Sequence, residues 1–341
     1  MDETPVPAAN KEAGPEAKQG PVFVIGDARS GTTLLYSVIL ASGAFPIYRA
    51  ESRIMECAHR YGRLIRDGNF KRFATDYLNS RQFARSGLEA SALWEAPITS
   101  RGSYTSFLGY FMDSIAEAAG KTRWVEKSPN HLLFMRELAR AFPDARFVHA
   151  VRDGRDVALS QRRLRLDAAP SESPLVQLIW AARHWEMMVR RGRRHGRSLD
   201  GRYMEVRYED LVTTPEQVLP ELSRFIGAEL SLDAVRESGV GALSTANSAF
   251  GEELSGISQA AKGRWVEQLS EQEKRVMSWA IGRTLAEFGY PVERQDTFAG
   301  VPLMARAHAR ISPLAFKAKR LLNRYTPVGR RSRRPLEMGL T

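Results

Sequence analysis

Pro21-Val22-Phe23-Val24-Ile25-Gly26-Asp27-Ala28-Arg29-Ser30-Gly31-Thr32-Thr33-Leu34-Leu35 passes from a run of β-branched and aromatic residues, through a glycine-bounded loop, into a helical pattern. The run after Pro21 and before Gly26 predicts a buried strand. From Gly31 to Leu40 the apolar residues take helical spacing, which predicts a helix ending near Ser42-Gly43. Strand, glycine loop and helix in succession open a nucleotide-type α/β unit. The loop keeps the glycine spacing of a G-x-x-x-x-G-K-[ST] phosphate loop, but Thr32 stands where that pattern has lysine. Glycines let consecutive backbone N–H groups turn toward an anion at a helix N-terminus. The lysine's part is to reach the β- and γ-phosphates, so its replacement argues against kinase or ATPase chemistry. Arg29 offers a planar guanidinium suited to paired hydrogen bonds with a phosphoryl or sulfuryl group.

Outward from this loop, strands and helices alternate. Arg123–Glu126, Ala145–Val151 and Arg202–Arg207 read as further strands, the first being the weakest. Ser52–Arg85 reads as helical, with Ile54, Met55, Leu64, Ile65 and Phe73 as core candidates. Ser103–Ala119, His131–Phe142, Val157–Arg165, Leu175–Arg194 and Ser270–Phe288 also read as helices. Ser270 with Glu273 forms a capping box. Alternation of this kind predicts an α/β fold: a single domain with a central parallel sheet flanked by helices, in a P-loop NTPase-like topology. The expected organisation is a disordered leader over 1–20, one domain over 21–295, and a basic tail over 296–341 that carries an amphipathic helix at Ile311–Tyr325.

The 341 residues are 43% hydrophobic and 26% charged, an ordinary globular composition. No run long enough to span a bilayer occurs. The first 20 residues hold Asp2, Glu3, Glu12 and Glu16 without an apolar stretch, unlike a secretory signal. Cys57 is the sole cysteine, which rules out an intrachain disulfide and a cysteine cluster for zinc. A cytoplasmic protein is expected. The net charge of +11 resembles a nucleic-acid binder until it is located. Ten Lys or Arg and one acid fall between Ala305 and Thr341, a net of +9, so about +2 is left for the body. A basic RNA-associated protein is therefore disfavoured. The tail suits contact with an anionic surface, at the inner face of a membrane among other places.

A second candidate anion site follows the strongest later strand. Arg152 stands at the carboxyl end of Ala145–Val151, where ligands bind in such sheets. Ser160 lies about two turns into the next helix. Together the two segments are similar to the donor-binding segments of sulfotransferases that use 3′-phosphoadenosine 5′-phosphosulfate (PAPS). The resemblance covers about Pro21 to Tyr290. It implies that Arg29, Ser30, Gly31, Thr32 and Thr33 hold the phosphosulfate. It also implies that Arg152 and Ser160 take the 3′-phosphate, helped by Lys262, Gly263 and Arg264 in Gly256–Trp265. Tyr208 reads either as a contact to adenine or ribose or as a core tyrosine.

Sulfuryl transfer requires positioning, charge stabilisation and a base for the acceptor proton. By the same resemblance, Glu51 in Glu51-Ser52-Arg53 is the base of the tyrosylprotein branch, and Arg53 a substrate contact. In the cytosolic branch a histidine serves. The corresponding stretch here is Lys127-Ser128-Pro129-Asn130-His131, with its histidine displaced. Glu51 is preferred, and His131 is kept as the alternative base and as a substrate contact. Lys127 is similar to the family lysine at the transferring group. No metal is required. The acceptor is left open among carbohydrate, lipid, small molecule and tyrosine, and a homodimer is compatible with the chain. The competing readings are a P-loop kinase-like phosphotransferase and a catalytically inactive nucleotide- or glycan-binding protein. His149, His184 and Trp185 read as core.

Overall fold

The computed structural model describes residues 19–62, 69–94, 102–168, 173–237, 259–292, 301–326 and 336. Four strands, β1 (Val22–Gly26), β2 (Val125–Lys127), β3 (Arg146–Val151) and β4 (Tyr203–Arg207), form one parallel sheet in the order β2-β1-β3-β4. A parallel sheet is buried on both faces, so its strands read as continuous apolar runs. β1 fits that rule: each of Val22, Phe23, Val24 and Ile25 is fully buried. Phe23 and Ile25 pack with Phe147, Trp124 and Leu132 on one face. Val22 and Val24 pack with Val148, Leu35 and Ile39 on the other.

The longer helices are α1 (Thr32–Leu40), α2 (Tyr104–Ala118), α3 (Gly154–Ala168), α4 (Pro174–Gly196), α5 (Pro215–Ile226), α6 (Glu271–Glu287) and α7 (Leu303–Tyr325). Ser103 caps α2 by accepting from the Ser106 N–H. The Ser270–Glu273 capping box starts α6. α1 and α5 cover the valine face of the sheet, and α2 covers the phenylalanine face.

Three sequence expectations are corrected. Ser52–Arg85 is not one helical stretch but short pieces at Met55–Cys57, Ala58–Tyr61, Asn69–Leu78 and Arg81–Ala84. Gly62, with φ of 68°, ends the second, and the Ser80 hydroxyl caps the last. Ile54, Met55 and Phe73 are buried there, while Leu64 and Ile65 lie outside the described residues. His131–Phe142 divides into 3₁₀ turns at Pro129–Phe134 and a helix at Met135–Ala141. Pro129 at the first turn position starts that tight segment. The C-terminal helix begins at Leu303, eight residues before the amphipathic segment expected at Ile311. Its early turns bury Ala305 and Ala309 against Ile179 and Val276. Residues 1–18 and 256–258 of the expected leader and closing loop lie outside the described residues.

Candidate active site

Parallel strands in register bring their carboxyl ends to one edge. Val24 of β1 pairs with Lys127 of β2, Gly26 with Ala150 of β3, and Val151 of β3 with Arg207 of β4. Lys127, the loop after Gly26, Arg152 and Tyr208 therefore stand along that edge, where open α/β sheets bind ligands. The loop is held from below by Asp27, which is fully buried. Its Oδ1 accepts from the Ala28 N–H at 2.9 Å and faces His184 Nδ1 at 3.1 Å. Its Oδ2 accepts from Gln161 Nε2 at 3.0 Å.

Two residues of the loop lie in the left-handed region, Arg29 with φ of 73° and Gly31 with φ of 86°. Strain of this kind in a non-glycine residue collects at functional sites. Gly31 has a second reason to be glycine, because a Cβ there would lie 2.5 Å from the Tyr208 ring. Gly31→Ala should therefore destabilise the fold by about 1–3 kcal/mol and weaken phosphate binding, read from urea midpoints and phosphate titration. Unchanged midpoints would mean that neither the left-handed backbone nor the ring contact resists a Cβ there.

The second anion segment folds onto the first. The Arg29 Nε donates to Ser160 Oγ at 3.0 Å, and an Arg152 Nη1 donates to the Arg29 carbonyl at 3.1 Å. Arg152 is buried, lies over the Tyr208 ring at 4.6 Å and also donates to the Ala261 carbonyl. Asp156, one turn on, pairs with Arg152 at 3.7 Å and accepts from the Gly263 and Trp265 N–H groups at 2.7 and 2.9 Å. It thereby ties the 261–265 loop to the start of α3. Burial, then Arg152, then Arg264 push the Arg29 guanidinium below its usual range. Burial and Arg152 do the same to Arg264. Arg152 thus joins Arg29 through the Arg29 carbonyl, Arg264 adds to the same positive field, and Asp156 is the acid paired with Arg152. Lys262 is exposed and donates to Thr213 Oγ1 at 3.0 Å. Tyr208 is buried between Gly31 and Arg152 as a packing platform.

These contacts also test whether the residues suit a bis-anionic nucleotide. The buried Ser30 hydroxyl and the Arg152 Nε have no hydrogen-bond partner among the described residues. Buried polar atoms are normally satisfied, and like charges in close array call for an anion. α1 adds the N–H groups of its first turn. The residues present fit such a ligand.

At the β2 end, Glu51 is half-buried between two cations. Its Oε1 lies 3.0 Å from Lys127 Nζ and its Oε2 lies 3.3 Å from Arg53 Nε. Burial alone would raise the carboxyl, but Lys127 and Arg53 outweigh it and hold Glu51 below the usual carboxylate range. Arg53 also has a left-handed backbone, with φ of 51°, and its N–H donates to Ser128 Oγ at 3.3 Å. Beneath lies Glu126, fully buried. It accepts from the Ser52 hydroxyl at 2.8 Å and from the Ser128 hydroxyl, and pairs with His131 Nδ1 at 2.8 Å.

His131, expected at the substrate, has no solvent exposure and faces Glu126 in the interior, a position that disfavours it against Glu51 as the base. The 3₁₀ turns after Pro129 turn it inward. His184 is corrected as well: it is half-buried, at the phosphate loop and against the Phe316 ring, whereas Trp185 is core. His149 is buried, with Nδ1 2.6 Å from the Tyr203 hydroxyl. Sequence reasoning passed over Asp27, Glu126 and Asp156. Asp27 and Asp156 carried one legible signal, since each is an acid inside a candidate anion-binding segment.

The sulfotransferase family profile matches residues 21–232. Protein-tyrosine sulfotransferase 2 of Gallus gallus is 26% identical over 291 residues, covering 82% of this chain and 71% of that protein. Protein-tyrosine sulfotransferase 1 of Danio rerio is 25% identical over 278 residues, covering 79% and 72%. In fold, the sulfotransferase domain of the Synechococcus PCC 7002 olefin synthase superposes with a TM-score of 0.54 at 19% identity, covering 82% of this chain and 98% of that domain. With the profile spanning the phosphate loop, Glu51, Lys127, Arg152 and Tyr208, the chain belongs to the sulfotransferase family.

Proposed function

We propose that the chain transfers a sulfuryl group from PAPS to an acceptor hydroxyl, with Glu51 as general base. The observation that carries this reading is the meeting of the two anion segments, with the Arg29 Nε on Ser160 Oγ at 3.0 Å and the Arg152 Nη1 on the Arg29 carbonyl at 3.1 Å. A donor with a 5′-phosphosulfate and a 3′-phosphate offers two anionic ends. The Gly26–Thr33 loop, with Arg29, Ser30, Thr32 and Thr33, suits the first. Arg152, Ser160 and the loop bearing Gly263 and Arg264 suit the second. Lys127 sits beside both the loop strand and Glu51.

In the transfer, the acceptor oxygen forms a bond to sulfur as the sulfur–oxygen bond to the 5′-phosphate breaks. The bonding pair leaves with that phosphate, yielding 3′-phosphoadenosine 5′-phosphate. The acceptor proton passes to Glu51. The guanidiniums and Lys127 stabilise charge on the leaving and equatorial oxygens. The acceptor is a hydroxyl of a carbohydrate, lipid, small molecule or tyrosine. The two tyrosylprotein relatives put tyrosine peptides first in a screen.

Calorimetry with 3′-phosphoadenosine 5′-phosphate, and with ATP and magnesium, tests the donor. The bisphosphate should bind more tightly than ATP. Arg152→Ala should weaken it by about tenfold or more, from loss of hydrogen bonds to a charged group. Ser160→Ala is the milder companion. Preferential magnesium-dependent ATP binding would replace this reading with a phosphotransferase.

A further inference from the structure

The C-terminal helix α7 has two apolar faces, and only one is packed against other described residues. The inner face buries Ala305, Ala309 and Ser312, and sets Phe316 on Trp180 at 5.1 Å and His184 at 5.6 Å. The outer face leaves Leu303, Met304, Ile311, Leu314, Leu321 and Leu322 between 46% and 76% exposed. At 3.6 residues per turn these six fall within an arc of about 100°, away from the inner face. They account for six of the eight large apolar side chains found exposed among the described residues. Arg310 and Lys317 are exposed on one flank of this stripe. The helix sequence, LMARAHARISPLAFKAKRLLNRY, contains six Arg or Lys and no acid.

We infer that this outer face of α7 docks on an anionic lipid bilayer, lying in the interface plane. Charge decides between the two natural occupants of such a stripe. A second copy of the chain would set two acid-free cationic helices side by side, with like charges flanking the seam. An anionic bilayer takes the leucines into its acyl boundary and the flanking cations at its headgroups. No helix among the described residues is long and apolar enough to cross a membrane, so the contact is peripheral. The docked helix is two contacts from the donor loop, through Phe316 to His184 and from His184 Nδ1 to Asp27 at 3.1 Å. Docking therefore sets the flank of the phosphate loop about one helix diameter, roughly 10 Å, from the lipid surface.

Flotation of the full chain with vesicles tests this without reference to catalysis. The chain should float with vesicles of phosphatidylserine and phosphatidylcholine, remain behind with phosphatidylcholine alone, and be released by high salt. The double variant Ile311→Glu/Leu314→Glu should cut partitioning by roughly tenfold or more, and Arg310→Glu/Lys317→Glu should do the same. Each variant must keep its thermal transition. If the double variants lose it, Leu314→Gln and Lys317→Gln serve instead. Absence of flotation, equal flotation on neutral vesicles, or unchanged flotation of folded variants overturns the inference. So does a vesicle-free dimer that Leu314→Glu dissociates, since the stripe then belongs to a second copy.

Discussion

Glu51→Gln should lower sulfuryl turnover by about 10²–10⁴-fold, the usual contribution of a positioned base, with bisphosphate binding retained. The carboxylate sits at the β2 end of the edge, whereas the guanidiniums that suit the 3′-phosphate sit at the β3 end, so the two losses separate. The pH dependence gives a second readout. Because Lys127 and Arg53 overcome the effect of burial, Glu51 stays ionised to lower pH than an ordinary carboxylate. The acid limb of kcat/KM should fall below the ordinary carboxylate value, with no limb between about pH 5 and 7 of the kind a histidine base produces. Lys127→Ala removes the stronger of the two opposing cations, so it should move that limb upward while also lowering kcat. Turnover within a few-fold of wild type for a folded Glu51→Gln protein would assign the proton to another group. A limb in the histidine range would point the same way.

The central fold was readable because it rests on local pattern. Val22–Ile25 is apolar at every position, as a strand buried on both faces must be, and the helix after Gly31 has its own period. β2 was displaced because Arg123 and Trp124 look like strand residues. Arg123 instead lies just before it and donates to the Gly20 and Ile226 carbonyls, joining segments distant in sequence. Arg29 and Arg152 were readable as candidate anion contacts for the same reason as the fold, since each follows a recognisable strand. Their supports were not. Asp27 is satisfied by Gln161 and His184, and Asp156 by Gly263 and Trp265, all more than 100 residues away. A buried acid is indistinguishable from a surface acid until its partners are in place. Glu126 shows this most sharply: the sequence marks it only as the end of the Arg123–Glu126 strand, but it is the fully buried centre of a network with Ser52, Ser128 and His131.

That network carries the largest expected stability effect. Removing one member of the Glu126–His131 pair leaves the other buried without its counter-charge, at a cost of about 3–5 kcal/mol. His131→Ala and Glu126→Gln should both show it in urea unfolding near neutral pH. The signs of the two shifts define where the pair acts. Burial raises Glu126, but His131 and the Ser128 and Ser52 hydroxyls outweigh it, so its folded pKa is lowered. Its contribution is present above the unfolded carboxylate value and is lost as pH falls through the lower folded one. Burial lowers His131, but Glu126 outweighs it and raises the folded value. That contribution is present below the unfolded imidazole value and is lost as pH rises through the raised folded one. The pair is thus at full strength between the unfolded carboxylate and imidazole values. A double variant such as Glu126→Leu/His131→Leu leaves no orphaned charge, and should lose much less than the sum of the single changes. Additive losses would show that the two groups do not act as a pair. The same network fixes the site above it. Ser128 Oγ takes the Arg53 N–H at 3.3 Å, and Ser52, which follows Glu51, donates to Glu126. A folded Glu126→Gln protein should therefore lose kcat through a displaced Glu51, yet keep bisphosphate binding at Arg152. Loss of both together would place Glu126 under the whole sheet edge and not under its β2 end alone.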